Sequence, residues 1–144
     1  MSEPKRFELH IPSRAGAEKL AMDFAAQVAR EMNFPVERIE DLKTAVSEAC
    51  MNAIEHGNQS DAGTRVGIRF VAAADRLQVA VQDQGVRAGI ARPAAPDIES
   101  RIEGRNETRG WGIFLIENLM DEVSFESSPE GNVVKMIIYL DKPA

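Results

Sequence analysis

The chain has 144 residues, 44% of them hydrophobic, and a formal net charge of −6. That hydrophobic fraction is too high for a disordered chain, and the length predicts a single domain over residues 1–144. The acidic balance disfavours direct nucleic-acid binding, which needs a basic face, and no apolar run approaches the roughly 20 residues of a membrane-spanning helix.

The cysteine content and the start of the sequence bear on the compartment. The single cysteine, Cys50, cannot form an internal disulfide, which fits a reducing compartment. The opening stretch, MSEPKRFELHIP, contains no apolar segment of the kind found in secretory signals. We therefore expect a cytoplasmic protein. The glycosylation-type triplets at 58–60 and 106–108 are set aside, because that modification requires secretion.

The first predicted elements are a short strand and an amphipathic helix. Phe7, Leu9 and Ile11 alternate with polar residues, which indicates a strand. Ser13 follows it and is typical of a helix N-cap. Over residues 17–34 apolar side chains recur every four positions, which predicts a helix with one buried face. These side chains are Leu20, Phe24, Val28 and Met32.

A second helix is predicted to begin near Pro35 and to end at Gly57. Proline suits the first turn of a helix, and the acidic Glu37 suits its N-terminus. Glycine is typical of the position where a helix stops. The apolar face of this helix consists of Ile39, Leu42, Val46, Ala49 and Ala53.

Two strands, residues 64–70 and 77–81, follow and are joined by a short hairpin connection. From residue 83 to residue 109 no hydrophobic period is sustained, and glycine and proline are frequent. Such a long irregular segment is uncommon in a compact domain and is typical of a functional loop. We therefore predict a lid over about residues 84–109.

The last part of the sequence predicts a helix that opens at Gly110, a strand over 123–126, a turn over 129–132 and a strand over 133–140. Hairpin strands with helices grouped between them favour an α+β fold. The expected architecture is a two-layer sandwich, in which one mixed, mostly antiparallel β-sheet carries helices on one face.

The first polar cluster lies in the stretch SEACMNAIEHGN, residues 47–58, at the end of the second helix. Glu48, Asn52 and Glu55 are spaced by four and three positions, which places them on one helical stripe beside the apolar face. An asparagine oxygen suits Mg²⁺, and a nearby glutamate can accept a proton, so the stripe indicates a magnesium nucleotide. A solvated helix end has the same spacing, and spacing alone does not decide between them.

The second cluster is Asp83-Gln84-Gly85, directly after a predicted strand. A carboxylate at a strand end can accept a hydrogen bond from an exocyclic amine such as that of adenine. A glycine beside it allows the backbone to approach a ligand closely. An ordinary Asp-x-Gly turn has the same sequence.

The third cluster is the run RGWGIFLI, residues 109–116. Glycines at the start of a helix expose its first amides, which favour anions such as phosphate together with the helix dipole. Arg105 and Arg109 stand just before these glycines, where a guanidinium can pair with phosphate oxygens. A glycine-rich beginning of an ordinary helix is the alternative.

In their order and spacing, the three clusters resemble those of the ATPase superfamily of gyrase, the Hsp90 chaperone, histidine kinases and mismatch-repair MutL. Within that superfamily, the short chain, the stretch SEACMNAIEHGN and the run RGWGIFLIENLMDEV are similar to the bacterial anti-sigma-factor serine kinases. The resemblance extends from the first strand to Leu140. It implies the Bergerat ATP-binding fold and the transfer of a phosphoryl group from ATP to a protein serine.

The resemblance implies a role for each residue that matches the family motifs. Glu48 would be the general base, and Asn52 would hold Mg²⁺. Asp83 would bind the adenine amine, with Gly85 beside it. The other residues placed at the nucleotide are Glu55, Gly89, Arg105, Arg109, Gly110, Trp111 and Gly112.

The resemblance also implies partners. A STAS-domain anti-anti-sigma protein would be the phosphorylated substrate, and the same kinase would sequester a sigma factor. Such partner switching regulates transcription without direct nucleic-acid or membrane contact by the kinase. A homodimer is implied as well.

Two positions depart from the family pattern. The second motif usually has a further glycine where Arg87 stands, and the next glycine is Gly89. The threonine that often follows the last turn is absent, and Asn132 and Val133 stand there. The first departure motivates an alternative, a nucleotide-binding module that captures partners without significant kinase activity. A histidine-kinase catalytic domain is a third hypothesis, disfavoured because the sequence contains no helical hairpin with a phosphoacceptor histidine.

Overall fold

The computed structural model describes residues 3–85 and 108–141. Within this part, the elements in chain order are β1 (Lys5–Pro12), α1 (Glu18–Glu31), α2 (Val36–Asn52), a π-helical turn (Ala53–Gly57), β2 (Arg65–Ala72), β3 (Arg76–Gln82), α3 (Thr108–Leu119), β4 (Glu122–Ser128) and β5 (Gly131–Tyr139). The predicted order of helices and strands is confirmed. The lid predicted over about 84–109 falls mainly on residues 86–107, which lie outside the described residues.

The five strands form one sheet in the order β1-β2-β3-β5-β4. Every strand pair in the described part is antiparallel. Phe7 lies opposite Phe70 and Phe70 opposite Val79, so alternate residues of neighbouring strands share one buried face. This period-two burial is the reason why the alternating sequence predicted these strands.

The helices cover one face of this sheet. The ring of Phe24 on α1 packs at 5.7 Å from the ring of Phe7 and at 5.0 Å from that of Phe70, measured between ring centroids. Helix α2 packs against both α1 and α3, and its Leu42 and Val46 are fully buried. The predicted two-layer α+β sandwich with a mostly antiparallel sheet is therefore confirmed.

The buried face of α1 differs from the predicted one. Leu20 is 58% exposed, and the positions in contact with the core are mainly small: Ala21, Ala25, Ala26, Val28 and Ala29. Val28 is buried, and Phe24 and Met32 pack against the core as predicted. A spacing of four residues drifts around a helix that has 3.6 residues per turn, and Leu20, at the start of the series, falls outside the buried face. The alanines let α1 lie close to its neighbours.

Ser13 does not cap α1 as predicted. The N-cap position belongs to Ala17, which makes no side-chain capping bond. Ser13 is buried instead, and its Oγ accepts hydrogen bonds from Thr64 Oγ1 (2.8 Å) and Asn58 Nδ2 (2.9 Å). The hydroxyl therefore joins the end of β1 to the segment before β2.

The end of α2 changes its winding. The α-helix stops at Asn52, and the predicted stop at Gly57 is the end of the π turn. The backbone N–H of Asn58 donates to the carbonyl of Ala53 at 2.8 Å, five residues back. Single π turns of this kind are frequent at functional sites.

In residues 3–85 and 108–141, no helix combines the length and the apolar character needed to cross a membrane.

Gly131 provides a test of how tightly β5 joins the end of β3. Its φ is +135°, and a Cβ built there would overlap the carbonyl oxygen of Asp83. We expect Gly131→Ala to lower the free energy of unfolding by at least about 2 kcal/mol, because strain and overpacking add. Urea unfolding of the purified variant measures this.

Gly16→Ala is the matched control. Gly16 also has a positive φ, +97°, but a Cβ there would have no neighbour within 4 Å. Its substitution should cost about 1 kcal/mol, from the backbone conformation alone. An equal decrease in the free energy of unfolding for the two variants would show that the contact between Gly131 and Asp83 is not tight.

Candidate functional site

The end of α2 and the start of α3 bring three of the predicted residues together. Glu48 and Asn52 lie one turn apart on α2, and Gly112 of α3 packs against both. A Cβ added to Gly112 would lie 2.8 Å from Glu48 Oε2 and 3.2 Å from Asn52 Nδ2. A side chain at this position would therefore displace the glutamate, and glycine allows the backbone of α3 to approach the polar stripe.

Glu48 has the electrostatic environment of a base. Its side chain is only partly exposed. The pKa of its carboxyl is raised, first by burial and second by the negative charge of Glu55. A carboxylate with a raised pKa accepts a proton more readily, so Glu48 is suited to proton abstraction.

The side-chain amide of Asn52 is not satisfied by the described part of the protein. Its Nδ2 is buried and has no hydrogen-bond partner there. An unpaired buried donor costs about 1–3 kcal/mol, and such groups in native proteins call for a ligand, an ion or water. Asn52 thus fits a polar ligand, and its Oδ1 is of the kind that Mg²⁺ accepts.

Glu55 lies at the edge of this group. It belongs to the π turn, where the α-helical spacing that places Glu48 and Asn52 on one stripe no longer applies. Its side chain is 53% exposed, and its Oε2 lies 4.0 Å from His56 Nε2. Its contribution in the structure is the negative charge that it adds near Glu48.

Asp83 forms a second group at the end of β3. The residue is buried, and its Oδ1 accepts hydrogen bonds from the backbone N–H of Gly85 (2.8 Å) and of Asn132 (2.9 Å). Asn132 Nδ2 donates to both carboxylate oxygens at 3.3 Å. Hydrogen bonds to a carboxylate are strong and offset its burial. Within the described part Oδ2 accepts only the long bond from Asn132, which leaves it available to a ligand donor.

Two further glycines make room for Asp83, and the sequence did not mark them as site residues. A Cβ on Gly57, at the end of the π turn, would overlap Asp83 Oδ2, and a Cβ on Gly131 would overlap the Asp83 carbonyl oxygen. Gly85, in the predicted motif, has a φ of +65° and lies against Gly131. The sequence signal was present, since glycine marks turns and helix ends, but it did not reveal what each glycine contacts.

Asn58 is the polar residue of this region that the sequence analysis missed. It is fully buried, its Nδ2 donates to Ser13 Oγ (2.9 Å) and to the Arg65 carbonyl (3.0 Å), and its Oδ1 accepts from the N–H of Gln84 (2.7 Å). A buried and hydrogen-bonded amide cannot carry a glycan, so the triplet at 58–60 is not a glycosylation site in this fold. No periodicity in the sequence indicated that Asn58 is buried.

The other predicted site residues lie at the edge of the described part or outside it. Gly89 and Arg105 are among the residues that the structure does not describe. For Arg109, Gly110 and Trp111 the backbone is described, and it forms the first turn of α3. The helix begins two residues before the predicted start at Gly110, so Gly110 and Gly112 lie within its first turns.

Comparison with known protein families gives a match over most of the chain. The family model described as a histidine kinase-like ATPase domain matches residues 11–138. The chain is 34% identical to a serine-protein kinase RsbW of Bacillus cereus, over 99% of this chain and 89% of that protein. It is also 34% identical to the serine-protein kinase RsbW of Bacillus subtilis (strain 168), over 93% of this chain and 85% of that protein.

Solved structures give the same fold. The structure of the RsbU and RsbW domains of Rv1364c from Mycobacterium tuberculosis superposes with a TM-score of 0.68 at 18% identity, and covers 97% of this chain and 34% of that one. The blue-light activated histidine kinase of Erythrobacter litoralis superposes with a TM-score of 0.56 at 23% identity, over 74% of this chain and 32% of that one. At these identities the likeness concerns the fold.

The raised pKa of Glu48 predicts a stability that depends on pH. A carboxyl whose folded pKa exceeds its unfolded one stabilises the fold below the unfolded value, near 4.5, and this contribution is lost as the pH rises through the folded pKa. Glu48→Gln removes the titrating group. The variant should therefore gain stability relative to wild type between pH 4 and pH 8, as measured by urea unfolding at both values.

Glu40→Gln is the control, because Glu40 is exposed on the same helix and lies 3.3 Å from Lys43. It should show no such gain. Glu55→Gln removes the charge that is the second cause of the raised pKa of Glu48. In a protein that already carries Glu55→Gln, the further change Glu48→Gln should therefore give a smaller gain in stability than it gives in wild type. A gain that is the same at pH 4 and pH 8 would contradict the raised pKa.

Proposed function

The chain belongs to the histidine kinase-like ATPase domain family and, within it, to the RsbW serine-protein kinases. On that premise, we propose that it transfers the γ-phosphoryl group of ATP to a serine of a partner protein. The proposal is supported above all by the contact of Gly112 with Glu48 and Asn52. This contact combines a base with a raised pKa, an unsatisfied amide and a closely approaching helix N-terminus at one place.

In the proposed reaction, Glu48 accepts the proton of the serine hydroxyl. The serine oxygen forms a bond to the γ-phosphorus, the bond from that phosphorus to the bridging oxygen breaks, and ADP leaves. Phosphoryl transfer of this kind depends mainly on positioning and on the neutralisation of charge. The partly buried position of Glu48 supports its assignment as the base.

Asn52 is the proposed ligand of Mg²⁺. Its Oδ1 would contact the ion, while its unpaired Nδ2 can donate to an oxygen of the ligand. The ion, when bound, would neutralise negative charge on the phosphates. Glu55, exposed at the end of the same segment, is proposed to face the nucleotide side of the stripe.

Asp83 is the proposed acceptor for the exocyclic amine of adenine. Its Oδ1 is occupied by donors from Gly85 and Asn132, so Oδ2 is the oxygen that we assign to the amine. The absence of a side chain at Gly57 lets the Asp83 carboxylate lie against the end of the π turn, which fixes the position of Oδ2.

The remaining assignments concern the residues that would contact the phosphates of ATP. We place the backbone of the first turns of α3 against the phosphates, since the N-terminus of a helix favours anions. Residues 84–109 are proposed as the lid of a single domain over residues 1–144. The residues assigned to the phosphates and the lid are Gly89, Arg105, Arg109, Gly110, Trp111 and Gly112.

For the partners, we propose a STAS-domain anti-anti-sigma protein as the phosphorylated substrate and a sigma factor as the captured protein. Phosphorylation of the first would leave the second bound, so the kinase would act as an anti-sigma factor in the cytoplasm. A homodimer is part of this proposal. The basis is the assignment to the RsbW serine-protein kinases.

Magnesium-dependent ATP binding tests the nucleotide site. Asn52→Ala should weaken Mg-ATP binding by about tenfold or more, because it removes the proposed ligand and a donor to the phosphates. Isothermal calorimetry with and without Mg²⁺ measures the loss. Asn118→Ala is the control, since Asn118 is exposed on α3 and its amide donates to the carbonyl of Phe114. Equal affinities of both variants would contradict the assignment of Asn52.

Phosphoryl transfer tests the base. Glu48→Gln should bind Mg-ATP about as well as wild type but phosphorylate a purified STAS-domain protein about 100-fold or more slowly, since a general base contributes a factor of that order. Acid-stable incorporation of phosphate distinguishes a phosphoserine product from an acid-labile phosphohistidine. Glu40→Gln should transfer at the wild-type rate. Unchanged transfer by Glu48→Gln would show that another group is the base.

A further inference from the structure

Asn58 joins four segments of the chain through a single side chain and its own backbone. Its N–H closes the π turn on Ala53, and its Nδ2 donates to Ser13 after β1 and to the Arg65 carbonyl at the start of β2. Its Oδ1 accepts from the N–H of Gln84, after β3. The residue is 0% exposed, so these bonds are shielded from water.

The bond to Gln84 is the one that bears on Asp83. Gln84 directly follows Asp83, so the Asn58 oxygen holds the backbone on one side of that carboxylate. Gly57 directly precedes Asn58 and lies against Asp83 Oδ2. The end of α2 therefore fixes the chain after Asp83 through Asn58 and packs against the Asp83 carboxylate through Gly57.

The opposite side of Asp83 is held mainly by the start of β5. The backbone N–H of Asn132 and that of Gly85 donate to Oδ1, and Asp83 N–H donates to the Asn132 carbonyl at 3.0 Å. Asn58 and Asn132 thus hold Asp83 from two elements. If the Asn58 side is released, the carboxylate can still be bound by Asn132, but its direction relative to α2 is no longer fixed.

We propose that Asn58 is a positioning residue for base recognition: it locks the turn Asp83–Gly85 to the end of α2, so that Asp83 Oδ2 meets the exocyclic amine of a purine. This inference rests on the proposed binding of ATP at Asp83. Asn58 acts through Gln84 and makes no contact with the base itself.

The test compares two nucleotides that differ only at the amine. ATP and purine riboside 5′-triphosphate, which lacks the 6-amino group, are titrated with Mg²⁺ by calorimetry into the full chain. Wild type should prefer ATP by about tenfold or more, since a hydrogen bond to a charged group is of that order. Asn58→Ala should lose most of this preference through weaker binding of ATP, with the analogue changed by less than about twofold. A merely destabilised variant would lose both ligands in proportion.

Ser13→Ala is the matched control. It removes one acceptor of the Asn58 amide on the side away from Asp83 and leaves the bond from Gln84 in place. It should lower stability yet keep the wild-type preference for ATP. If Asn58→Ala does not fold, Asn58→Ser takes its place, because the serine side chain is too short to reach the Gln84 N–H. It should lose the preference for ATP in the same way.

The outcomes separate this inference from the proposed function. If wild type binds ATP with a preference for the amine and Asn58→Ala retains it, the positioning role is wrong and ATP binding stands. An equal loss of preference in Ser13→Ala would also overturn the positioning role. If wild type does not bind ATP, the proposed function fails, and the inference fails with it.

Discussion

The buried carboxylate of Asp83 is the constraint on which this end of the molecule depends. A carboxylate removed from water must be compensated by hydrogen bonds, and here the donors come from the turn after β3 and from the start of β5. The donors can approach only if the backbone comes within contact distance. Gly131 lies where a Cβ would overlap the Asp83 backbone carbonyl, and Gly57 lies where a Cβ would overlap the Asp83 carboxylate. The close packing of this one residue thereby requires glycine at two distant positions.

The change of winding at the end of α2 links this group to the stripe of Glu48 and Asn52. An uninterrupted α-helix would present residues 53–58 at other angles, whereas the π turn places Gly57 against Asp83 and carries Asn58 into the interior. The preceding α-helical turns hold Glu48 and Asn52 toward Gly112. Helix α2 and its π turn thus carry the Glu48 carboxylate, the unsatisfied amide of Asn52 and one wall of the Asp83 group. Sites on regular elements are held more accurately than sites on loops.

The sequence was sufficient for the element order and the two-layer architecture. Alternation predicted the strands, because each strand has one buried face, and the run Glu48 to Asn52 was recognisable because α-helical spacing holds there. The sequence-based predictions were wrong where a side chain's environment depends on which residues the fold brings next to it. Leu20 is exposed because a four-residue spacing drifts around the helix, and Ser13 binds Asn58 and Thr64 across the fold in place of capping α1. The burial of Asn58 depends on a π turn, for which a single sequence has no periodic signal.

Asn132 shows how a departure from a family pattern can be compensated locally. Threonine has one hydroxyl and can donate one side-chain hydrogen bond, whereas the amide of asparagine can donate two. In this chain Asn132 Nδ2 donates to Asp83, and Asn132 Oδ1 accepts from Ser127 Oγ at 2.7 Å, so the side chain is tied on both sides. The backbone of Asn132 exchanges a further pair of hydrogen bonds with Asp83. The substitution therefore retains a firm hold on the carboxylate.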